Sequence, residues 1–174
     1  MLASPSPTFS GKTVVITGSS RGLGLEMGRR FAAADARVIL TDVDSEQGAR
    51  AAESLRDQGA EARFEQLDVR SPEQSVSLVE QLVKEFGSID VWVNNAGVAH
   101  KAAAESLPVD EWRESIDVML SGAFYCSQSV SGPMLKRGQG VIVNIASVIG
   151  CNPIEGRVAY GTAKAGLIML TEAL

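Results

Sequence analysis

Short apolar runs alternate along the chain with longer segments in which apolar residues return every three or four positions. The short runs are rich in Val and Ile, and a run without regular polar alternation is typical of a strand buried on both faces of a sheet. Five such runs predict five strands: "TVVIT" at 13–17, "RVILT" at 37–41, "ARFEQL" at 62–67, "IDVWV" at 89–93 and "GVIVNI" at 140–145.

The longer segments have the spacing of amphipathic helices. The clearest is 72–87, where one helical face is marked by Val76, Val79, Leu82, Val83 and Phe86. Further helices are predicted at 23–35, 46–59 and 108–138, and "VAYGTAKAGLIMLTEAL" predicts a last helix that reaches Leu174. Strands that alternate with helices indicate βαβ crossovers, and therefore an α/β fold with a parallel sheet covered on both faces.

Composition and charge exclude some classes of partner. The 174 residues, 45% hydrophobic and 21% charged, fit one domain, which we place at 12–174 after a flexible N-terminal tail at 1–11. The net charge of -5 argues against nucleic acid, because phosphate binding needs clustered Lys and Arg. No stretch approaches the roughly 18 apolar residues that span a bilayer, and no secretory signal precedes the domain.

The two cysteines, Cys126 and Cys151, lie in mostly apolar stretches without a CxxC motif. We expect reduced thiols in or near the core, and a disulfide or a reactive thiol is the alternative. Reduced thiols and the missing signal predict a cytoplasmic location.

Three glycines, Gly18, Gly22 and Gly24, follow the first predicted strand and open the first helix. Glycine lets the backbone turn tightly and approach a pyrophosphate, which the free N–H groups of a helix N-terminus attract. The spacing is a variant of the dinucleotide fingerprint, so a simple tight turn is the alternative.

An acidic residue, Asp42, ends the second predicted strand, where a carboxylate can accept hydrogen bonds from an adenosine ribose. Because a carboxylate also repels a 2'-phosphate, Asp42 favours NAD over NADP. Arg21 favours the opposite choice, since its cation could pair with that phosphate, and we give Asp42 the greater weight. Asp44 is expected near the N-cap of the next helix.

Four motifs together resemble the short-chain dehydrogenases/reductases: "TGSSRGLG" at 17–24, "NNAG" at 94–97, Ser147 after the fifth strand, and Tyr160 with Lys164 as Y-x-x-x-K. The resemblance runs from about Lys12 to the end of the chain. It implies a Rossmann-like doubly wound parallel sheet that has five strands here and lacks the family's C-terminal strands. It also implies an oxidoreductase that is a homo-oligomer.

Oxidation of a secondary alcohol needs a base at the hydroxyl while hydride leaves the carbon. By the resemblance, Tyr160 is the catalytic acid/base, Lys164 favours its phenolate and binds the nicotinamide ribose, and Ser147 steadies the substrate oxygen. The implied cofactor-binding residues are Gly18, Ser20, Arg21, Gly22, Leu23, Gly24, Asp42, Asp68, Val69, Asn95, Ala96, Gly97, Tyr160 and Lys164. For Asp68 a helix N-cap is the alternative, although Ser71 is the better cap.

Two features depart from the family pattern. Met119 stands where the family commonly has an asparagine that holds a water of the proton relay, and methionine offers only a weak sulfur acceptor. The chain also ends where the family continues with further strands and a substrate loop. We therefore expect a fragment or a shortened form of a longer enzyme, with a genuinely short protein as the alternative.

The function predicted from these residues is hydride transfer between a nicotinamide cofactor, NAD rather than NADP, and a secondary alcohol or ketone. A 3-oxoacyl thioester is a special case, and a non-catalytic dinucleotide-binding or interaction protein is the alternative. His100 is the only histidine, which excludes a multi-histidine metal site, and no metal is expected. We interpret His100 as a solvent-facing loop residue, with a place in the lining of the cleft as the alternative, and Trp92 as core.

Overall fold

Five parallel strands form one sheet in the computed structural model, which describes residues 8–174. The strands are β1 (Thr13–Thr17), β2 (Arg37–Asp42), β3 (Ala62–Gln66), β4 (Val91–Asn94) and β5 (Val141–Asn144). The helices are α1 (Gly22–Ala32), α2 (Ser45–Arg56), α3 (Pro72–Phe86), α4 (Val109–Ile116), α5 (Gly122–Arg137) and α6 (Val158–Ala173). The order β3-β2-β1-β4-β5 confirms the predicted doubly wound α/β fold.

The central strand β1 is buried along its whole length, as a run without polar alternation predicts. Val14 and Ile16 pack on one face of the sheet with apolar residues of α1 and α2. Val15 packs on the other face with Trp92, α3 and α5. Burial of each such side chain stabilises the fold by roughly 1.5–3 kcal/mol. Trp92 is therefore core, as predicted, and its Nε1 donates to Asn94 Oδ1 at 2.9 Å.

The predicted helix at 108–138 is divided in the structure. A π-helical segment, Asp117–Ser121, separates α4 from α5, and Met119 lies within it, 1% exposed. Gly122 follows directly, and a Cβ at this position would lie 2.8 Å from Val69 Cγ2. The close approach of helix and loop fixes the position of the segment. π-Helical turns often occur at functional sites.

The cysteine interpretation is correct for one residue and wrong for the other. Cys126 lies in the core, and burial raises the pKa of its thiol to about 11. Cys151 is exposed after the short turn Val148–Gly150, so it is no core thiol. Both are free thiols.

The ends of the described chain are placed differently. Residues 1–7 of the predicted tail lie outside the described residues, but the ring of Phe9 packs edge-on against Phe31 at 5.1 Å. At the other end, α6 confirms the predicted last helix and buries Lys164 and Leu167. Each helix within residues 8–174 is too short or too polar to cross a bilayer.

Candidate active site

A cleft of about 570 Å³ opens at the carboxyl ends of the strands, where the strand order reverses between β1 and β4. Twelve of the residues predicted from the sequence line it: Gly18, Arg21, Leu23, Gly24, Asp42, Asp68, Val69, Asn95, Ala96, Gly97, Tyr160 and Lys164. Three others, Ser20, Gly22 and Ser147, do not. The topology therefore brings together most of the predicted site.

The glycine turn requires glycine at two positions because other backbone comes very close. Gly18 has φ 60°, and a Cβ there would lie 2.6 Å from Ala96 Cα. A Cβ on Gly24 would lie 2.4 Å from the Gly18 carbonyl oxygen. A side chain at either position would clash with this backbone, so the turn would have to shift.

Asn95 joins the ends of the two central strands. Its Nδ2 donates to the carbonyl oxygens of Thr17 and Gly18, both at 2.9 Å. In the other direction, Thr17 Oγ1 accepts from the backbone N–H groups of Asn95 and Ala96 at 3.0 Å. These four hydrogen bonds connect the ends of β1 and β4 below the cleft, so Asn95 has a structural role.

Asp42 lines the cleft at the end of β2, and its carboxylate is held by the glycine turn. Asp42 Oδ2 accepts from Ser20 Oγ at 2.7 Å and from Ser20 N at 3.1 Å. Arg21 is exposed beside it and also lines the cleft. Asp44 is the N-cap of α2, as predicted, and accepts from Gln47 N at 2.9 Å.

Asp68 lines the cleft after β3 and forms a two-point ion pair with Arg70. Arg70 Nε donates to Asp68 Oδ1 at 2.9 Å, and its Nη2 donates to Oδ2 at 2.6 Å. These hydrogen bonds hold the pKa of Asp68 below its usual value, and they raise the pKa of Arg70. Ser71, not Asp68, caps α3, since its Oγ accepts from Gln74 N.

Tyr160 and Lys164 enter the cleft from the first two turns of α6. Four residues apart on a helix, they share one face, and Lys164 Nζ lies 5.8 Å from the centroid of the Tyr160 ring. Lys164 is 4% exposed, and its ammonium donates to the Ile145 carbonyl. Burial lowers the pKa of Lys164, because the charged form loses hydration.

Ser147 precedes α6 in the sequence and lies outside the lining of the cleft. It is half-buried and begins the turn Val148–Gly150, where its Oγ accepts from Ile149 N at 3.2 Å. The structure thus places two of the three predicted catalytic side chains in the cleft. Ser147 faces the turn that follows β5.

His100 lies in a loop, as predicted, but its side chain is half-buried rather than turned to solvent. Its Nε2 lies 2.7 Å from Glu114 Oε2, and its Nδ1 lies 3.5 Å from Glu111 Oε2. Its carbonyl accepts from Arg157 Nη1 at 3.3 Å, and Arg157 begins α6. His100 therefore connects the loop after β4 with α4 and with the helix that carries Tyr160.

Several lining residues were not predicted: Val43, Leu67, Arg70, Val98, Ala99, Glu114, Val118, Met119, Ile145 and Ala146. Ile145 and Ala146 directly follow β5, so the rule that ligands lie beyond the carboxyl ends of strands could have found them. Glu114 had no such indication, because only the folded chain brings α4 to the cleft. Within residues 8–174, no group of three His, Cys, Asp or Glu side chains could hold a metal ion.

Comparison with known proteins gives similar relatives over nearly the whole chain. An uncharacterized oxidoreductase of Thermotoga maritima is 35% identical over 166 residues, which cover 95% of this chain and 65% of the relative. A 3beta-hydroxysteroid dehydrogenase 1 of Eggerthella lenta is 37% identical, with 95% of this chain and 64% of the relative covered. For the 3-oxoacyl-[acyl-carrier-protein] reductase of Escherichia coli the identity is 37%, with coverage of 95% and 67%.

The chain spans just under two thirds of the length of the first two relatives. Among solved structures, NAD+-bound xylitol dehydrogenase superposes with a TM-score of 0.91 at 35% identity, covering 95% of this chain and 64% of that one. The family model for short chain dehydrogenase matches residues 12–174. By this match, the chain belongs to the short chain dehydrogenase family of oxidoreductases.

Proposed function

We propose that this chain binds NAD and carries the acid/base residues of an enzyme that moves hydride between NAD and a secondary alcohol or ketone. One observation carries the proposal: Tyr160 and Lys164 line the same cleft as the glycine turn and Asp42. The names of the relatives support the substrate class, since xylitol and a 3β-hydroxysteroid are secondary alcohols and a 3-oxoacyl group is a ketone. A 3-oxoacyl thioester is included as a special case.

The residues present fit an extended dinucleotide. Asp42 is the last residue of β2 and Lys164 bonds to the residue after β5, so three strand spacings, about 14 Å, separate the two ends of the cleft. Between them lies the glycine turn, which opens α1 and offers backbone N–H groups to a pyrophosphate. Asp42 would hold the adenosine ribose, and Lys164 would hold the nicotinamide ribose. Bound nicotinamide supplies the hydride acceptor or donor.

The chain itself supplies the proton chemistry. A phenol with a free pKa of about 10 is a poor base at neutral pH, so it needs a neighbouring positive charge. Lys164 provides that charge from a buried position, and its hydrogen bond to the Ile145 carbonyl keeps Nζ beside the Tyr160 ring. Tyr160 then removes the alcohol proton during oxidation and returns it during reduction.

Ser147 is proposed to steady the substrate oxygen. Its Oγ accepts from Ile149 N, while its own proton has no acceptor among residues 8–174. The hydroxyl can therefore donate to an oxygen on which negative charge develops. Because Ser147 lies outside the cleft lining, the substrate oxygen must approach from the side of the turn after β5.

A second candidate function is a non-catalytic dinucleotide-binding protein. Two observations favour it: Ser147 lies outside the lining of the cleft, and an apolar side chain, Met119, is buried in the wall near Gly97. Binding of NAD without turnover would support this candidate or a piece of a longer enzyme, and turnover would exclude it.

The test is the change of nicotinamide absorbance when the purified chain is given NAD with secondary alcohols, or NADH with ketones. Tyr160→Phe should abolish turnover and leave NADH affinity within about twofold, because only the phenol proton is lost. Tyr125→Phe is the matched control, since it changes the only other tyrosine, which lies on α5 outside the cleft. Equal turnover in wild type and Tyr160→Phe would refute the mechanism, and no NADH binding would refute the function.

We also propose that the protein acts as a homo-oligomer. Exposed apolar side chains on the long helices support this, namely Phe124 and Leu135 on α5 and Met169 on α6. Light scattering coupled to size exclusion gives the number of subunits, and a monomer at high concentration would contradict the proposal.

A further inference from the structure

Ser20 has an unusual position for a residue of a phosphate-binding turn. It is 4% exposed and lies behind the cleft rather than in its lining. Both its donors, the backbone N–H and the hydroxyl, are directed at a single atom, Asp42 Oδ2, at 3.1 and 2.7 Å. Its Oγ also lies 3.2 Å from Gln47 Oε1, but a serine has one hydroxyl proton and the shorter contact to Asp42 takes it.

The two oxygens of the Asp42 carboxylate therefore have different hydrogen-bond partners. Oδ2 receives both donors from Ser20, which fixes the rotation of the carboxylate about its terminal bond. Oδ1 accepts one longer contact, from Asp44 N at 3.3 Å, and so retains accepting capacity. Since Asp42 lines the cleft, Oδ1 is the atom that can accept from a ribose hydroxyl.

The same turn also carries a cation that could bind the 2'-phosphate of NADP. Arg21, the next residue, is exposed, lines the cleft, and has no ion pair within residues 8–174. If the Asp42 carboxylate could rotate away, Arg21 would be free to pair with a 2'-phosphate. With the carboxylate fixed, such a phosphate meets a negative charge that cannot move.

We propose that Ser20 is the positioning residue that makes the cleft select NAD over NADP, because it holds the Asp42 carboxylate where a 2'-hydroxyl fits and a 2'-phosphate is repelled. This inference rests on the proposed function, which gives Asp42 to the adenosine ribose. It assigns the selectivity to two residues: Asp42, which lines the cleft, and Ser20, whose hydroxyl donates to Asp42 from behind that lining.

The experiment measures the dissociation constants of NADH and NADPH by nicotinamide fluorescence at one ionic strength, and compares their ratio between variants. Ser20→Ala should reduce the preference for NADH about tenfold, the effect of losing one hydrogen bond to a charged group. Ser20→Thr keeps the hydroxyl and should restore the preference. Ser19→Ala is the matched control, since Ser19 Oγ is buried in the same turn but donates to the Ile16 carbonyl at 2.7 Å.

Asp42→Asn distinguishes the role of Ser20 from the role that the proposed function gives to Asp42. It should remove the preference, and Ser20→Ala added to it should have no further effect, because the group that Ser20 holds no longer carries charge. An unchanged ratio in Ser20→Ala beside a changed one in Asp42→Asn would overturn the role of Ser20 alone. An unchanged ratio in Asp42→Asn would overturn the assignment of Asp42 in the proposed function. Equal loss of preference in Ser19→Ala would mean that general loosening of the turn, not Ser20, is responsible.

Discussion

Asp90 joins three elements at the end of the sheet opposite the cleft, directly before β4. Its side chain is 9% exposed, and Oδ2 accepts from Thr13 N at 2.9 Å. Oδ1 accepts from Lys12 Nζ at 3.2 Å and from Arg137 Nη1 at 3.0 Å. One carboxylate therefore holds together the start of β1, the start of β4 and the end of α5.

The perturbation is Asp90→Asn, which keeps the shape but removes the charge and turns an NH2 group toward existing donors. Loss of one partner of a fully buried ion pair destabilises a protein by about 3–5 kcal/mol. Lys12 is 48% exposed and Arg137 31%, so water partly replaces the lost contacts. We expect the free energy of unfolding to fall by about 2–3 kcal/mol, and Tm to fall by roughly 4–12 °C for a chain of this size.

The pH dependence gives an independent check. Burial raises the pKa of Asp90, but the hydrogen bonds from Thr13, Lys12 and Arg137 outweigh it, and the net pKa is lowered from 3.8. For an acid with a depressed pKa, the stabilisation is complete above the unfolded value and is lost as the pH falls through the folded one. The stability difference between wild type and Asp90→Asn should thus be constant from pH 7 to about 5 and shrink below about pH 4.

The assay is urea unfolding followed by tryptophan fluorescence, which reports on the buried Trp92 in β4. Asp110→Asn is the matched control, because Asp110 is 95% exposed and lies 3.4 Å from Arg113. It should change the free energy of unfolding by less than about 0.5 kcal/mol. An effect of Asp90→Asn no larger than that of the control, or a difference that persists unchanged at pH 3, would contradict the role given to the Asp90 carboxylate.

Two further predictions concern the open edge of the sheet and the loop over the cleft. Val141 is 54% exposed on the edge strand β5, so Val141→Lys should reduce concentration-dependent light scattering. Val109 is 62% exposed on α4, and Val109→Lys should not reduce the scattering. Equal scattering in wild type and both variants would contradict this prediction. His100→Ala removes the contacts to Glu111 and Glu114, so amide hydrogen exchange at residues 98–103 should become at least several-fold faster. The free energy of unfolding should change by less than about 1 kcal/mol. Unchanged exchange would show that His100 does not hold the loop.

The fold could be predicted because a strand that is buried on both faces of a sheet gives a nearly continuous apolar run in the sequence. The central strands β1 and β4 are buried at every position and consist mainly of Val, Ile and Trp, and β1, β2 and β4 lie within two residues of the predicted runs. The division of the helix at 108–138 was not predictable in this way. Residues 117–121 contain no Gly or Pro, and the close approach of Gly122 to Val69 is a tertiary contact that no local pattern shows.

The candidate site also contains residues whose positions could be predicted from the sequence and residues whose positions could not. Gly18, Asp42 and Asn95 lie at the carboxyl ends of three different strands, and parallel strands bring these ends to one edge, so their proximity could be predicted from order alone. Ser147 is held by the backbone N–H of Ile149 in the turn after β5, and His100 is held by the side chain of Glu114 in α4. Neither Ile149 N nor Glu114 is marked as a partner by any local pattern.

The position of Met119 bears on whether the cleft can hold a competent lysine. The family resemblance predicts a polar side chain there, and the structure instead buries a thioether that lines the cleft. A buried ammonium without an acceptor would be costly. Lys164 avoids that cost because it donates to the Ile145 carbonyl, a backbone group that no substitution at 119 removes. The ammonium therefore keeps its place beside Tyr160 with methionine at 119, and what the methionine changes is the polarity of the neighbouring wall.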